Sequence, residues 1–399
     1  ITLDRQSAIR LSEHWLGGLL SGTGSTKPID LRRAFSCTQL AVMLIAGIGP
    51  AAAADWPRFR GADCLGVSAE SIPTPWPSQG LLAAWTWPVP EGGTGYGSAA
   101  TWEGRVFALA SCLNCFTDGR QEYCVALDAA SGSCVWATQL NLGSRANSTP
   151  TVADGSVYVY SSECTLCRLD AATGSVWWKR DLQEEYGGGS VPYGNSQSPW
   201  VEDGRVFVQI SAETNCLMAF DASTGDLLWR GHTNGLTYGS PVGATIHGVR
   251  QIIFPDPNGL VAVTPDSGQM LWQHSQNATS PSYSYDNGPS PVVHGDVAFC
   301  SNKYGTQAVR IGCSDGVFST EVLWTNRSLG DLYTTLVIHE DCVYGTSRGR
   351  LHCLELTSGR VRWQSDGTVR MASVILVGNR LLAQAESGEL ILAEASPLK

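Results

Sequence analysis

Ala126-Leu127-Asp128-Ala129-Ala130-Ser131-Gly132, with Trp136 four residues after the glycine, decides the fold because the chain repeats it. Leu169-Asp170-Ala171-Ala172-Thr173-Gly174 leads to Trp178, and Phe220-Asp221-Ala222-Ser223-Thr224-Gly225 leads to Trp229. Two looser copies follow, with Thr264 in the Asp position ahead of Ser267-Gly268 and Trp272, and Glu355 ahead of Ser358-Gly359 and Trp363. Trp324 reads as a further copy whose turn is rewritten as Ser314-Asp315-Gly316. Each part has a physical reason. The Asp carboxylate accepts hydrogen bonds from the N–H groups of the turn that follows, and glycine supplies the left-handed backbone. The Trp on the next strand, with roughly 150–250 Å² of surface to bury, covers the gap to the neighbouring unit.

A second signal interleaves with the first. Glu103-Gly104, Asp154-Gly155, Asp203-Gly204, His247-Gly248, His294-Gly295, Glu340-Asp341 and Gly378-Asn379 each separate two short apolar runs, which is the signature of a tight hairpin. They recur about every 40–50 residues, the length of a four-stranded propeller blade. The last unit stops after three strands, and Leu81 to Trp87, a lone strand ahead of the first unit, is expected to complete it and close the ring. The fold class is therefore all-β: a seven-bladed β-propeller of four-stranded antiparallel blades, or an eight-bladed one if residues 56–80 build part of another. Trp85, Trp136, Trp178, Trp229, Trp272, Trp324 and Trp363 are its docking residues.

Composition agrees. Of 399 residues, 44 are Gly and 19 Pro, too much punctuation for long helices, and 43% apolar content is enough for a sizeable core. A formal charge of −10 argues against nucleic acid, which needs a basic face. Residues 1–54 read as leader and export signal: Arg32-Arg33, an apolar run from Leu40 to Ile48, and an Ala-x-Ala site ending at Ala54. The arginine pair with Phe35 suits twin-arginine export, and the rest of the segment suits ordinary secretion equally well. Residues 55–80 form a lead-in and 81–399 the propeller, soluble in the periplasm or cell envelope after cleavage. Without the leader the charge is −12, and 12 of the 13 cysteines remain.

The Ala-x-Asp-x-x-Thr-Gly-x-x-x-Trp repeats resemble the tryptophan-docking motif of PQQ-like (quinoprotein-type) β-propellers, and they cover nearly all of the chain beyond the leader. The resemblance implies one of two roles. Quinoprotein dehydrogenases hold pyrroloquinoline quinone and calcium on the axis, whereas envelope propellers similar to the outer-membrane assembly factor BamB bind partners without catalysis. The dehydrogenases clamp their quinone with two adjacent cysteines, and no Cys-Cys pair occurs here. The lead-in Asp55-Trp56-Pro57-Arg58-Phe59-Arg60-Gly61, with Gly66-Val67-Ser68 and Trp76-Pro77, resembles that of exported bacterial proteins with these repeats and carries no known chemistry.

Other chemistries find less support. Cys112-x-x-Cys115 and Cys164-x-x-Cys167 have the local spacing of zinc ligands, but a whole blade separates them, so structural disulfides or buried thiols account for them better. Cys300 with Cys313, and Cys342 with Cys353, lie on adjacent strands of single blades and are candidate disulfides; Cys64 and Cys216 have no local partner. The scattered histidines show no paired metal spacing, so no metal site and no catalytic residue is assigned. Gly92 to Gly97 is glycine-rich but feeds a strand, which makes it a loop instead of a phosphate cradle. What remains is a repeated position on the links between blades: Tyr96, Arg145, Tyr193, Tyr238, Tyr285, Tyr333 and Arg370. Around one funnel mouth they would make an amphipathic ring of the residue types enriched in binding hot spots, although Tyr before Gly-Ser or Pro also serves ordinary strand-entry packing. The long links around Glu184-Glu185-Tyr186 and Ser282 to Asn287 would widen that face. The expected function is a non-catalytic scaffold for an envelope protein or a small ligand, with no resident cofactor. A quinone dehydrogenase and a carbohydrate-binding propeller are the alternatives.

Overall fold

In the computed structural model, the described residues are 40–42, 54–76, 81, 83–88, 96–113, 120–141, 145–188, 192–212, 214–232, 235, 237–276, 288–330, 334–367, 373–385 and 387–398. They form seven four-stranded sheets. Blade 1 consists of Ala100–Trp102, Arg105–Leu113, Arg120–Asp128 and Cys134–Asn141, and blade 2 of Thr151–Ala153, Ser156–Tyr160, Thr165–Asp170 and Val176–Asp181. Blade 3 runs from Trp200–Glu202 to Leu227–Gly231, blade 4 from Val242–Ile246 to Met270–Ser275, blade 5 from Val292–His294 to Val317–Asn326 and blade 6 from Val337–His339 to Val361–Gln364. In each of these six, four antiparallel strands follow one another as a meander, here called a to d from the first strand outward. The a–b and c–d turns therefore share one end of every blade, the turn face. The b–c turns and the links between blades share the other, the link face.

The turns behave as their residues demand. Both central residues of the a–b hairpins are left-handed at Glu103-Gly104, Asp154-Gly155, Asp203-Gly204 and His247-Gly248, the conformation of a type I′ turn, which matches the twist of the strands it joins. At the c–d turn of blade 2, Asp170 Oδ1 accepts from Ala172 N (3.0 Å), Thr173 N (2.7 Å) and Thr173 Oγ1 (2.9 Å). These bonds hold the carboxyl below the usual carboxylate range. The apolar clusters lie between adjacent sheets, where Phe107, Val157, Phe207, Phe254, Phe299 and Tyr344 are buried.

The ring closes from its N-terminal side, but not with the strand expected to do so. The fourth strand of blade 7 is Val67–Ser68, parallel to Ser373–Val377 and added inside it, with Arg380–Gln384 and Leu390–Glu394 beyond. Trp85–Trp87 is not in that sheet; it pairs antiparallel with Leu40–Val42 and lies against the face of blade 1. Val67–Ser68 takes the edge beside Ser373–Val377, whereas Trp85–Trp87 is held on blade 1 by the Trp85 Nε1 bond to Ala129 O and by packing against Val106, Val125 and Leu127, so it does not extend the sheet beyond Leu390–Glu394.

Candidate functional site

The docking tryptophans are placed by the turn they face. Trp136 bonds through Nε1 to Ala171 O (3.1 Å) and lies over Gly174, where a Cβ would meet the ring at 2.6 Å. Trp178 does the same with Ala222 O and Gly225, Trp229 with Pro265 O and Gly268, and Trp324 with Leu356 O and Gly359. Trp85 takes this position against blade 1, with Nε1 on Ala129 O and the ring over Gly132. Trp363 reaches Ser396 O in the last unit. Trp272 departs from the pattern and bonds Gln251 Oε1 in its own blade (2.7 Å). The turn it would have met, Asp315-Gly316, sits at the tip of a longer hairpin, Gly305–Ser314 with Val317–Asn326, and nothing lies within 4 Å of a Cβ at Gly316.

Of the seven link residues, Tyr285, Tyr333 and Arg370 lie outside the described residues, as do Ser282 to Asn287 of the long link. The other long link folds as a single helical turn, Leu182–Tyr186, capped by Asp181 and by left-handed Gly187. The remaining four link residues lie on the link face. The Arg145 guanidinium stands 5.2 Å over the Tyr193 ring, and Tyr193 meets Tyr238 at 6.2 Å with a tilt of 58°. Three successive links thus contribute one continuous stack, of the kind cation–π and tilted-ring contacts favour. Tyr193 is 60% exposed and Tyr96 63%. Sequence reasoning missed Tyr304, also well exposed, because it sits in a b–c turn instead of a link; its signal was its place beside Gly305 between two apolar runs.

Beneath the stack the links are fixed from below. Asn147 Nδ2 donates to Tyr193 O (2.7 Å), and Ser196 Oγ donates to Tyr238 O (3.0 Å). A relay of hydroxyls joins one blade to the next where the a strands begin: Ser98 N to Thr149 Oγ1, Thr149 N to Ser198 Oγ, Ser198 N to Ser240 Oγ, Ser240 N to Ser290 Oγ (2.9 Å each) and Ser290 N to Thr335 Oγ1 (3.2 Å). No link hydroxyl was singled out from sequence, although each of these follows its Tyr or Arg by two to five residues.

Two acids are buried at this end of the propeller, each tied into its own surroundings. Glu122 of blade 1 accepts from Ser162 N (3.0 Å) and Ser162 Oγ (2.9 Å), and burial pushes its carboxyl up to about 8. Asp256 of blade 4 accepts from Asn258 N (2.7 Å) and faces His232 Nε2 at 3.4 Å. Standing three blades apart, they do not form a catalytic pair. A cavity of about 10 Å³ between blades 4 and 5, lined by Pro255, Leu260, Pro289 and Phe299, is the size of one water molecule.

Among the described residues no group of three or more His, Cys, Asp or Glu converges in a way that would hold an ion. Cys115 is outside the described residues; Cys164 and Cys167 are buried free thiols, with Cys167 pushed up to about 12 by desolvation. The disulfide candidates are also free thiols here. Cys300 stands opposite Gln307 and Cys313 opposite Phe318, so those two are not neighbours across the ladder. Cys342 and Cys353 are diagonal neighbours, paired with Glu355 and Tyr344 respectively.

The family described as outer membrane protein assembly factor BamB matches residues 83–191 and 120–365, well over half of the sequence. The chain belongs to this family. Among curated BamB proteins, that of Yersinia pestis is 23% identical over 292 residues, covering 70% of this chain and 68% of its own length. That of Moranella endobia is 22% identical over 283 residues, 66% of each chain, and that of Shewanella oneidensis 24% over 225 residues, 54% of this chain and 55% of the relative. The matches thus span from just over half to about two thirds of these BamB relatives. Among solved structures, BamB from Moraxella catarrhalis superposes with a TM-score of 0.55 at 17% identity, covering 79% of this chain and 89% of the other. A europium-containing methanol dehydrogenase gives 0.52 at 11% identity, covering 76% and 77%. At these identities the superpositions speak for the propeller fold that BamB and that dehydrogenase share.

Proposed function

We propose that the protein is an exported, non-catalytic binding scaffold of the cell envelope, and that its link face holds another envelope protein. The observation that carries this reading is the Arg145–Tyr193–Tyr238 stack, whose Tyr193 is exposed on the same face as Tyr96 and Tyr304 and which Asn147 and Ser196 brace from below. Exposed tyrosines beside arginine supply contact area with little side-chain entropy to lose, the composition of interface hot spots. Membership of the BamB family supports a partner among outer-membrane assembly proteins. Export with a leader ending near Ala54 belongs to the same proposal, as do the lead-in at 55–80 and the propeller at 81–399. Among the described residues no helix is long and apolar enough to cross a membrane.

The quinone reading fits these residues poorly. The paired-cysteine clamp is missing from the sequence, no three His, Cys, Asp or Glu side chains converge among the described residues, and the chain's own segment at 56–68 runs along the first strands of the blades. No resident quinone or calcium is therefore proposed. A photo-crosslinking residue at position 193 tests the scaffold reading. It is expected to trap an envelope protein in an adduct that Arg145→Glu suppresses and that the same probe at Trp177, on an outer strand, does not give. Saturable thermal stabilisation by pyrroloquinoline quinone with calcium, together with dye reduction on alcohols, would overturn it. Stabilisation by oligosaccharides alone would move the assignment of the tyrosines to sugar stacking.

A further inference from the structure

The lead-in Asp55-Trp56-Pro57-Arg58-Phe59-Arg60-Gly61 has no place in the repeat pattern, yet its backbone and side chains touch blade after blade. Trp56 exchanges backbone hydrogen bonds with Thr101 of blade 1 (Trp56 N to Thr101 O 3.1 Å, Thr101 N to Trp56 O 2.8 Å), and Pro57 O accepts from Val152 N of blade 2 (2.7 Å). The Arg58 guanidinium stacks 4.4 Å over Trp200 of blade 3. Cys64 is buried in the apolar cluster of blades 3 to 5, and Leu65 packs against that of blades 5 and 6. Gly66 O accepts from Leu376 N and Ser68 O from Gly378 N, both in blade 7.

Arg60 is the centre of this segment. It is only 7% exposed, and the hydrogen bonds of its guanidinium go to backbone carbonyls: Leu336 of blade 6 (2.5 Å), Val374 of blade 7 (3.1 Å), and Leu65 (3.0 Å) and Cys64 (3.4 Å) of its own loop. Burial lowers it to about 10, which still leaves it a cation at neutral pH. Glycine is required on both sides. Gly66 has φ +72 and a Cβ there would strike the Arg60 guanidinium; Gly61 has φ +85, and a Cβ there would lie 3.1 Å from the Trp56 ring. The hydroxyl relay described above runs from blade 1 to Thr335 of blade 6, and Arg60 takes up the adjacent carbonyl, Leu336, and carries the connection to blade 7.

We infer that residues 55–68, running across the first strands of successive blades, are the clasp that closes the ring between blades 6, 7 and 1, with Arg60 as its key. The closure is separate from Trp85 docking, which covers the face of blade 1 and its c–d turn.

The test uses the full chain with a protease-cleavage sequence inserted between Ser71 and Ile72, in an exposed stretch. After cleavage the N-terminal fragment is expected to co-elute with the ring in size-exclusion chromatography. If it is released under mild denaturant and the denaturant is then removed, the ring is expected to stay folded but to melt at a lower temperature. A fluorescent synthetic peptide of residues 54–70, added to the fragment-depleted ring, is expected to bind saturably, and the Arg60→Met peptide at least tenfold more weakly. The peptide comparison also separates this clasp from retention through the Leu40–Val42 strand. A fragment that leaves on first passage while the ring keeps its melting temperature would overturn the inference, as would equal binding of the parent peptide and its Arg60→Met variant.

Discussion

Replacing Trp229 tests the docking architecture more sharply than any other single change, because the structure supplies an internal control. The indole is 9% exposed, donates to Pro265 O at 2.7 Å, and packs 6.1 Å from Phe207. Deleting it removes roughly 150–250 Å² of buried surface, about 4–6 kcal/mol at ~25 cal/mol per Å². Partial collapse of the site brings the expected cost of Trp229→Ala to about 3–5 kcal/mol. Trp229→Phe, which keeps most of the ring but loses the N–H bond, should cost about 1–2 kcal/mol. The control lies in two glycines. Gly268 (φ +68) sits under the indole, where a Cβ would collide with the ring; Gly248 (φ +77) has nothing within 4 Å of the same position. Alanine at Gly248 therefore carries only the left-handed backbone penalty, about 1–2 kcal/mol. Alanine at Gly268 carries that penalty and also lifts the indole from its seat. In a Trp229→Ala background the collision is gone and the two alanines should cost the same, a non-additivity of about 1 kcal/mol or more. Urea unfolding followed by circular dichroism measures all of these. Equal costs for Gly268→Ala and Gly248→Ala in the otherwise native chain would refute the reasoning, as would a Trp229→Ala loss below about 1 kcal/mol.

Glu122 should make stability depend on pH. Its folded-state pKa lies near 8, above the usual 4.5, so the native state holds a proton that the unfolded chain gives up; stability is full below about 4.5 and falls as pH rises toward 8. Glu122→Gln should flatten that slope by up to about 1.4 kcal/mol per pH unit across this window, and identical melting-versus-pH curves for the two proteins would contradict the assignment. Removing one hydroxyl of the relay, as in Ser198→Ala, leaves Thr149 N without its acceptor and should cost about 1–3 kcal/mol, visible as faster amide exchange at Thr149. Arg145→Ala should leave the unfolding midpoint within about 0.5 kcal/mol of the parent, since Arg145 is a partly exposed surface residue, while weakening any partner held through Tyr193.

What could be read from the sequence, and what could not, follows the range of the interactions involved. The Asp170 turn is written within six residues, every bond of it local, and so the repeat announced the blades and the direction of each strand. Trp136 and Gly174 are 38 residues apart yet could be matched, because a periodic chain turns one long-range contact into a rule for all the others. Trp272 broke that rule where the next hairpin was lengthened, a change visible as the missing Asp-x-x-Thr-Gly spacing before Trp324 but silent about what the stranded indole would bond instead. The link face was legible only as a list of tyrosines and arginines. That Arg145, Tyr193 and Tyr238 touch depends on how far each blade is rotated from the last, which no repeat spells out. The lead-in was least legible of all, and for a physical reason. Arg60 meets its partners at Leu336 and Val374, some 276 and 314 positions away, through backbone carbonyls, and a carbonyl leaves no mark in a sequence. The fold gives this arginine a ring of peptide oxygens. A segment that no repeat explains is therefore where a repeat protein's closure should be looked for, since closing a ring takes one element that is not itself a repeat.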